Sequence, residues 1–327
     1  MKMGLHRFTY YTTQVEDLLL KAGREDNPAL WLFTIGARTP FFMLEALAKL
    51  YAGLHNSKKF DKLKEHFKLV EDGLGQIDYY DTLSKAFDPL EKVQGEYKQY
   101  IAAKMYKSAE ALNVILKDEG WISEDNRRIR KISGKLREAD WMEPENETEG
   151  MSKFYLKSIS KIAGFIHETG FSFDNVEEDV HELRRKLRWL SIYPQALQGA
   201  VQYDKNSTEE AHLKKYLTEE IINSPFNKFA AKGNNKSILL LRRNYFLALS
   251  WMIAELGKLK DEGLLLTGLC EAITDRKSCT KEDALLEAYK FLGKKQRKLD
   301  EILDDAEVIT ERFFKEKNLN YLISGTA

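Results

Sequence analysis

A histidine and four cationic side chains fall within eight residues of the stretch VEEDVHELRRKLRWL, which runs from Val176 to Leu190. On an α-helix, which turns about 100° per residue, His181, Arg184, Arg185 and Arg188 share one arc beside an apolar stripe. Guanidinium groups pair with phosphate oxygens through two parallel hydrogen bonds, and a histidine can donate a further one. The spacing therefore predicts a surface for a polyvalent anion. The alternative is a solvated helix face whose arginines pair with nearby carboxylates.

Helical periodicity positions this arc and dominates the rest of the chain. Apolar residues recur every three or four positions, as expected for amphipathic helices. Examples are the stripes Phe60, Leu63, Phe67, Val70, Leu74 and Val176, Val180, Leu183, Leu187, Leu190. No alternating run competes convincingly as a strand. Asn175 and Ser207 are candidate helix caps, each followed by a glutamate three residues later. The sequence predicts an all-α protein of roughly a dozen helices.

One acidic stretch is predicted to divide the chain. Residues 141–152 hold four glutamates, a proline and a glycine, a composition typical of a loop. We therefore expect an N-terminal helical bundle over 1–140, an acidic linker over 141–152 and a C-terminal bundle over 153–327. A Leu-Gly pair followed by an acidic residue occurs in LGQIDYYDTL (74–83) and in LGKLKDEGLL (256–265), a faint sign of an internal repeat.

Bulk composition limits the function classes. The 327 residues carry 51 basic and 51 acidic side chains, so no overall field draws the protein to nucleic acid or an acidic membrane. Two cysteines without a C-x-x-C pair favour a reducing, cytoplasmic setting. The N-terminus lacks a signal-peptide pattern, and the most apolar stretch, 244–257, is too short to span a bilayer. We expect neither a nucleic-acid nor a membrane partner.

The stretch VHELRRKLRWL resembles the signature of the CHAD family, the conserved-histidine α-helical domains. His181, Arg184 and Arg188 match its histidine and the cations three and seven positions later. The resemblance implies two related helical bundles with a basic central cavity between the halves. It also implies non-catalytic binding of inorganic polyphosphate or another phosphate-rich anion, with no cofactor. In the first half, the corresponding segment 29–51 keeps Arg38 and Lys49.

The predicted anion-binding residues follow from the arc and from this resemblance. The first rank provides charge and a histidine donor, and the second rank consists of cations that could complete the cavity. The first rank is His181, Arg184, Arg185 and Arg188, and the second rank is Arg38, Arg242 and Arg243. Further cationic runs at 126–138 and 293–301 are more often solvated helix faces.

Three other readings stay open at this point. A helical protein-interaction scaffold that has lost anion binding is the main alternative, and an exposed arc paired with carboxylates would favour it. A di-metal bundle is suggested by Glu178-x-x-His181 and Glu209-x-x-His212, but arginines beside His181 oppose a cation, so we expect no metal. A hydrolytic enzyme lacks the usual nucleophile and phosphate-binding motifs, so we expect no catalysis.

Overall fold

The first six helices form the N-terminal part of the protein. The computed structural model describes residues 2–206, 210–293 and 296–327. The helix cap predicted at Ser207 lies outside these ranges. So do Glu209 of the Glu209-x-x-His212 motif and the pair Lys294–Lys295. The helices are α1 Met3–Ala22, α2 Pro28–Thr34, α3 Arg38–Leu54, α4 Ser57–Phe87, α5 Gly95–Asp118 and α6 Arg127–Arg137. The predicted stripe from Phe60 to Leu74 is buried along α4.

The second part adds six α-helices and three short strands. Its elements are α7 Pro144–Thr169, a π-helical turn Val176–His181, α8 Glu182–Ala196, β1 Val201–Tyr203, a 3-10 turn Ala211–Tyr216, α9 Glu219–Asn223, a 3-10 turn Pro225–Asn227, β2 Leu239–Leu241, α10 Arg243–Lys277, α11 Lys281–Leu292, α12 Leu299–Lys315 and β3 Ile323–Thr326. The predominantly helical architecture and the count of about a dozen helices are confirmed for the described residues.

A small sheet was not predicted from the sequence. β1 pairs with β2 in parallel, with Val201 opposite Leu239, and β2 pairs with β3 antiparallel, with Leu239 opposite Thr326. The strands have only three or four residues each, so no alternating pattern can develop along them. The expectation of no strand is therefore wrong at these three places.

The stretch predicted as an acidic linker is mostly helix. Pro144 is the first residue of α7, a position that suits proline because its missing N–H would have no helical partner. Glu145 and Glu147 lie in the first turn, where the positive end of the helix dipole stabilises carboxylates. Glu147 and Met151 are buried. The prediction of a loop over 141–152 is wrong from residue 144 onward.

The apolar core joins residues from both sides of this stretch. The larger cluster of buried side chains extends from Phe8 to Leu322. A second cluster combines the end of α4 and start of α5, such as Phe87 and Tyr97, with Leu266 and Leu269 of α10. α3 packs on α4 and α8, and α8 also packs on α10. These four helices position the predicted anion-binding residues.

Candidate anion-binding site

The two Leu-Gly pairs hold equivalent positions. One lies where α4 packs against α3, and the other lies where α10 packs against α8. Gly75 lies inside α4, and Gly257 lies inside α10. A Cβ atom added to Gly75 would lie 2.8 Å from Nη2 of Arg38, and one added to Gly257 would lie 3.0 Å from Nε of Arg184. Each glycine therefore makes room for an arginine from the neighbouring helix. Neither glycine ends its helix.

Three of the predicted arginines come together where α3 meets α8. Burial, together with the charges of Arg184 and Arg38, lowers the pKa of Arg188 to about 10, while Glu71 and Asp78 oppose this shift. Burial also lowers the pKa of Arg184, while Asp261 opposes this shift and Arg38 adds to it. The charge of Arg38 acts on both Arg184 and Arg188, and the charge of Arg184 acts on Arg188. The structure therefore places Arg38, Arg184 and Arg188 in one cationic cluster, called the arginine cluster below.

The members of the arginine cluster differ in how they are neutralised. Arg38 forms two ion pairs, from Nε to Glu71 at 2.7 Å and from Nη1 to Asp78 at 2.7 Å. Arg184 donates from Nε to the carbonyl oxygen of Ile253 at 3.2 Å. Within the described ranges, neither Arg184 nor Arg188 has a carboxylate oxygen within 4.0 Å. Two largely buried positive charges thus lack direct compensation, an arrangement that an anion would complete.

Aromatic rings support these cations, a feature that sequence reasoning missed. The guanidinium carbon of Arg188 lies 4.6 Å from the ring centroid of Phe42. The ring of Phe42 lies 4.8 Å from that of Trp189, and Nζ of Lys49 lies 4.1 Å from the Trp189 ring. Cation, ring, ring and cation thus form a continuous series of contacts between α3 and α8. Stacking holds a cation in place without neutralising its charge.

The other half of the predicted arc faces outward. His181 Nδ1 lies 2.8 Å from Oε1 of Glu177, and Arg185 forms an ion pair with Glu182. The Arg185 side chain is 60% exposed. These two residues are paired on their own helix, so the structure does not join them to the arginine cluster. The helical-wheel argument assumed an α-helix throughout, whereas Val176–His181 is a π-helical turn with a different rotation per residue.

Arg242 and Arg243 lie at a different end of the protein. Arg243 is the first residue of α10, and Gly257 follows fourteen residues later, about 21 Å along the helix axis. The guanidinium carbon of Arg242 lies 6.0 Å from the ring of Tyr245 and 5.9 Å from that of Tyr321. The second-rank pair therefore does not contribute to the arginine cluster, whereas Arg38 does.

A glycine substitution separates the packing role of Gly257 from helix stability. In Gly257→Ala, the new methyl group would displace the guanidinium group of Arg184, so we expect anion affinity to fall several-fold. The free energy of unfolding should not decrease, because alanine favours a helix interior over glycine by about 0.5–1 kcal/mol. Isothermal titration with polyphosphate and urea unfolding measure the two effects.

Gly164→Ala is the matched control for this substitution. Gly164 lies inside α7, and nothing lies within 4 Å of the added methyl position. This variant should gain stability without any change in affinity. Equal affinity of the Gly257→Ala variant and the wild type would show that Arg184 does not contact the anion.

The described ranges also bear on metal binding and on membrane insertion. No group of three or more histidine, cysteine or acidic side chains there could hold a metal ion. No helix in that part of the chain is long and apolar enough to span a bilayer. Two surface cavities are present, one lined by Thr9 and Arg137 among others and the other by Lys59 and Lys135 among others. All lining residues of both cavities belong to the first 140 residues. The cavity between the halves stays a prediction.

Comparison of the chain with models of protein families, with curated proteins and with solved structures finds no match. The CHAD resemblance therefore stays an expectation drawn from the motif.

Proposed function

We propose that this protein binds a phosphate-rich anion, with inorganic polyphosphate as the favoured ligand, at Arg184 and Arg188. The observation that carries the proposal is the pair of largely buried guanidinium groups with no carboxylate oxygen within 4.0 Å in the described ranges. Arg38 contributes less, because Glu71 and Asp78 already neutralise it. In a divergent CHAD-like protein, this site would then rest mainly on the second half.

The chemistry of the cluster favours binding without a reaction. Guanidinium groups and aromatic rings hold and orient an anion, but they supply neither a nucleophile nor a general base at neutral pH. Phosphate oxygens accept paired N–H bonds from arginine, and each charge-assisted contact contributes on the order of 1–3 kcal/mol when desolvated. A cytoplasmic location belongs to the same proposal, because Cys270 and Cys279 are free thiols.

A scaffold function is the second candidate. It is favoured by the outward half of the arc, where His181 and Arg185 pair with carboxylates of their own helix segment. Such an exposed, locally neutralised face is typical of a solvated helix or of a polar protein interface. Binding of another protein there would leave the arginine cluster unused.

Titration with medium-chain polyphosphate at low and physiological salt tests the proposal. We expect the tightest binding step of the wild type to weaken with salt. It should weaken at least tenfold in Arg184→Gln/Arg188→Gln, while circular dichroism shows unchanged helicity. The matched control is Arg242→Gln/Arg243→Gln, which removes the same charge at the far end of α10 and should change affinity less than threefold.

Two results would contradict the proposal. One is the absence of any binding by the wild type at low salt, which would turn the search toward protein partners. The other is an equal loss in both double variants, which would mean that overall charge, and not the arginine cluster, attracts the polyanion.

A further inference from the structure

A second group of cations lines a cavity between the N-terminal part of α4 and α6. The cavity has a volume of about 110 Å³. This cavity is called the α4–α6 groove below. Its polar lining consists of Lys59, Lys62, His66, Arg128, Lys131 and Lys135. None of these six residues belongs to the arginine cluster. The groove also contains no residue of α8 or α10.

The two walls of the groove have the same spacing. Lys59, Lys62 and His66 occupy positions i, i+3 and i+7 of α4, and the three cations of α6 occupy the same positions of their helix. Side chains at this spacing share one helix face. Leu63 and Ile132 lie between the walls and are nearly fully buried, at 3% and 2% exposed. Two basic ridges therefore face each other over an apolar floor.

The groove has little negative charge to balance these ridges. No acidic residue is among its lining residues. Arg128 pairs with Glu119, but within the described ranges no carboxylate oxygen lies within 4.0 Å of any of the four lysine amines. The neighbouring Asp61 and Glu65 of α4 pair instead with Lys64. Facing cations without partners repel one another, and a bound anion would remove that repulsion.

His66 gives the groove a titratable donor. Its Nε2 lies 3.5 Å from Nη1 of Arg128. Burial lowers the pKa of His66, the charges of Arg128, Lys62 and Lys135 lower it further, and Glu119 opposes them. Burial and the neighbouring cations therefore favour the neutral ring in the free protein. An anion placed between the ridges would favour the protonated ring and raise this pKa.

We propose that the α4–α6 groove is a separate binding site for one phosphate-type oxyanion. The ligand would be inorganic phosphate itself or the terminal phosphoryl group of a phosphate chain. A cavity of about 110 Å³ is large enough to hold one tetrahedral oxyanion. This inference does not rest on the function proposed for the arginine cluster, because the two sites share no residue.

Titration of His66 measures anion binding at the groove itself. The ring protons of His66 are assigned by comparison with a His66→Gln variant and followed by NMR. Inorganic phosphate or tripolyphosphate is added at constant ionic strength, with sodium chloride as the reference. We expect saturable shifts and a raised pKa of His66 with phosphate, but not with chloride. Tighter binding of tripolyphosphate would identify the end of a chain as the ligand, and equal binding would identify free phosphate.

Two double variants on the same helix separate the groove from overall charge. Lys131→Gln/Lys135→Gln should weaken the phosphate response of His66 at least tenfold. The control is Arg130→Gln/Arg137→Gln, whose positions lie about 180° around α6 from Arg128 and should leave the response unchanged. No response of His66 beyond that to chloride would overturn the inference, as would equal weakening by both variants in proteins with unchanged thermal stability.

The same NMR readout keeps the two proposals apart. Arg184→Gln/Arg188→Gln should leave the response of His66 unchanged, since the groove contains neither arginine. Loss of the response in that variant would contradict a separate site. Failure of polyphosphate to bind the arginine cluster would leave the groove result standing, because it is read at a different side chain with a different ligand.

Discussion

Replacing Glu147 with alanine is expected to lower the free energy of unfolding by about 3–5 kcal/mol. Oε2 of Glu147 lies 2.6 Å from Nη1 of Arg7, and both residues are buried, at 3% and 1% exposed. Arg7 also donates to the hydroxyl oxygen of Tyr51 at 2.8 Å and to Oδ1 of Asn235 at 2.9 Å. Without Glu147, a positive charge would stay buried beside neutral partners, which is the costly half of a broken ion pair.

Urea unfolding measures this effect against a control on the same helix. Glu149 lies two residues later in α7 and pairs with Lys153 at 2.7 Å, with both side chains well exposed. Glu149→Ala should therefore leave the free energy of unfolding nearly unchanged, because both charges stay in water. The double variant Arg7→Met/Glu147→Met should be less destabilised than Glu147→Ala, because no charge is left unpaired. A loss below 1 kcal/mol for Glu147→Ala would show that water reaches Arg7.

This ion pair explains why the sequence-based prediction of a loop over 141–152 is wrong. Composition describes a segment as a whole, and four glutamates within twelve residues predict a solvated loop. The structure distributes them differently: Glu147 is buried against a residue 140 positions earlier, while Glu149 faces outward. A partner so distant in sequence leaves no local pattern. Local periodicity is sufficient elsewhere, as for the predicted stripe from Phe60 to Leu74, which is buried along α4.

The candidate site was likewise predictable only in its local part, the helix that carries Arg184 and Arg188. The apolar stripe of the signature helix is buried from Val176 to Leu190, and Asn175 caps its start by accepting from the backbone N–H of Glu177 at 2.8 Å. Helical spacing therefore placed Arg184 and Arg188 beside the core. It could not show that Arg38 approaches them from another helix, or that Glu71 neutralises it. It also could not show that a π-helical turn precedes α8.

Arg188 is largely buried, whereas Arg185 on the same helix is exposed. Replacing Arg188 with methionine is expected to raise the free energy of unfolding by about 1–3 kcal/mol in the absence of ligand. Burial, together with the nearby charges of Arg184 and Arg38, lowers the pKa of Arg188 from its usual range to about 10. The charged form is therefore less favourable in the folded than in the unfolded chain. Methionine keeps a flexible stem against the ring of Phe42 and removes the charge.

The pH dependence has a definite sign. Because the folded pKa of Arg188 lies below the unfolded one, the cost of its charge is fully present below pH about 10 and decreases as the pH rises above that value. Arg188→Met should therefore gain the same stability at pH 6 and pH 8, and less above pH 10. Arg185→Met is the control, since Arg185 is exposed and paired with Glu182, and its effect should stay within about 0.5 kcal/mol.

Polyphosphate should reverse this order of stability. A ligand that binds only the folded protein stabilises it by about 2.7 kcal/mol at one hundred times its dissociation constant. The wild type should gain this amount, while Arg188→Met, which lacks one of the two uncompensated charges, should gain much less. Thermal unfolding with and without medium-chain polyphosphate compares the two proteins directly. If Arg188→Met is less stable than the wild type without ligand, the guanidinium group is already satisfied within the protein. In that case the cluster has no uncompensated charge for an anion to complete.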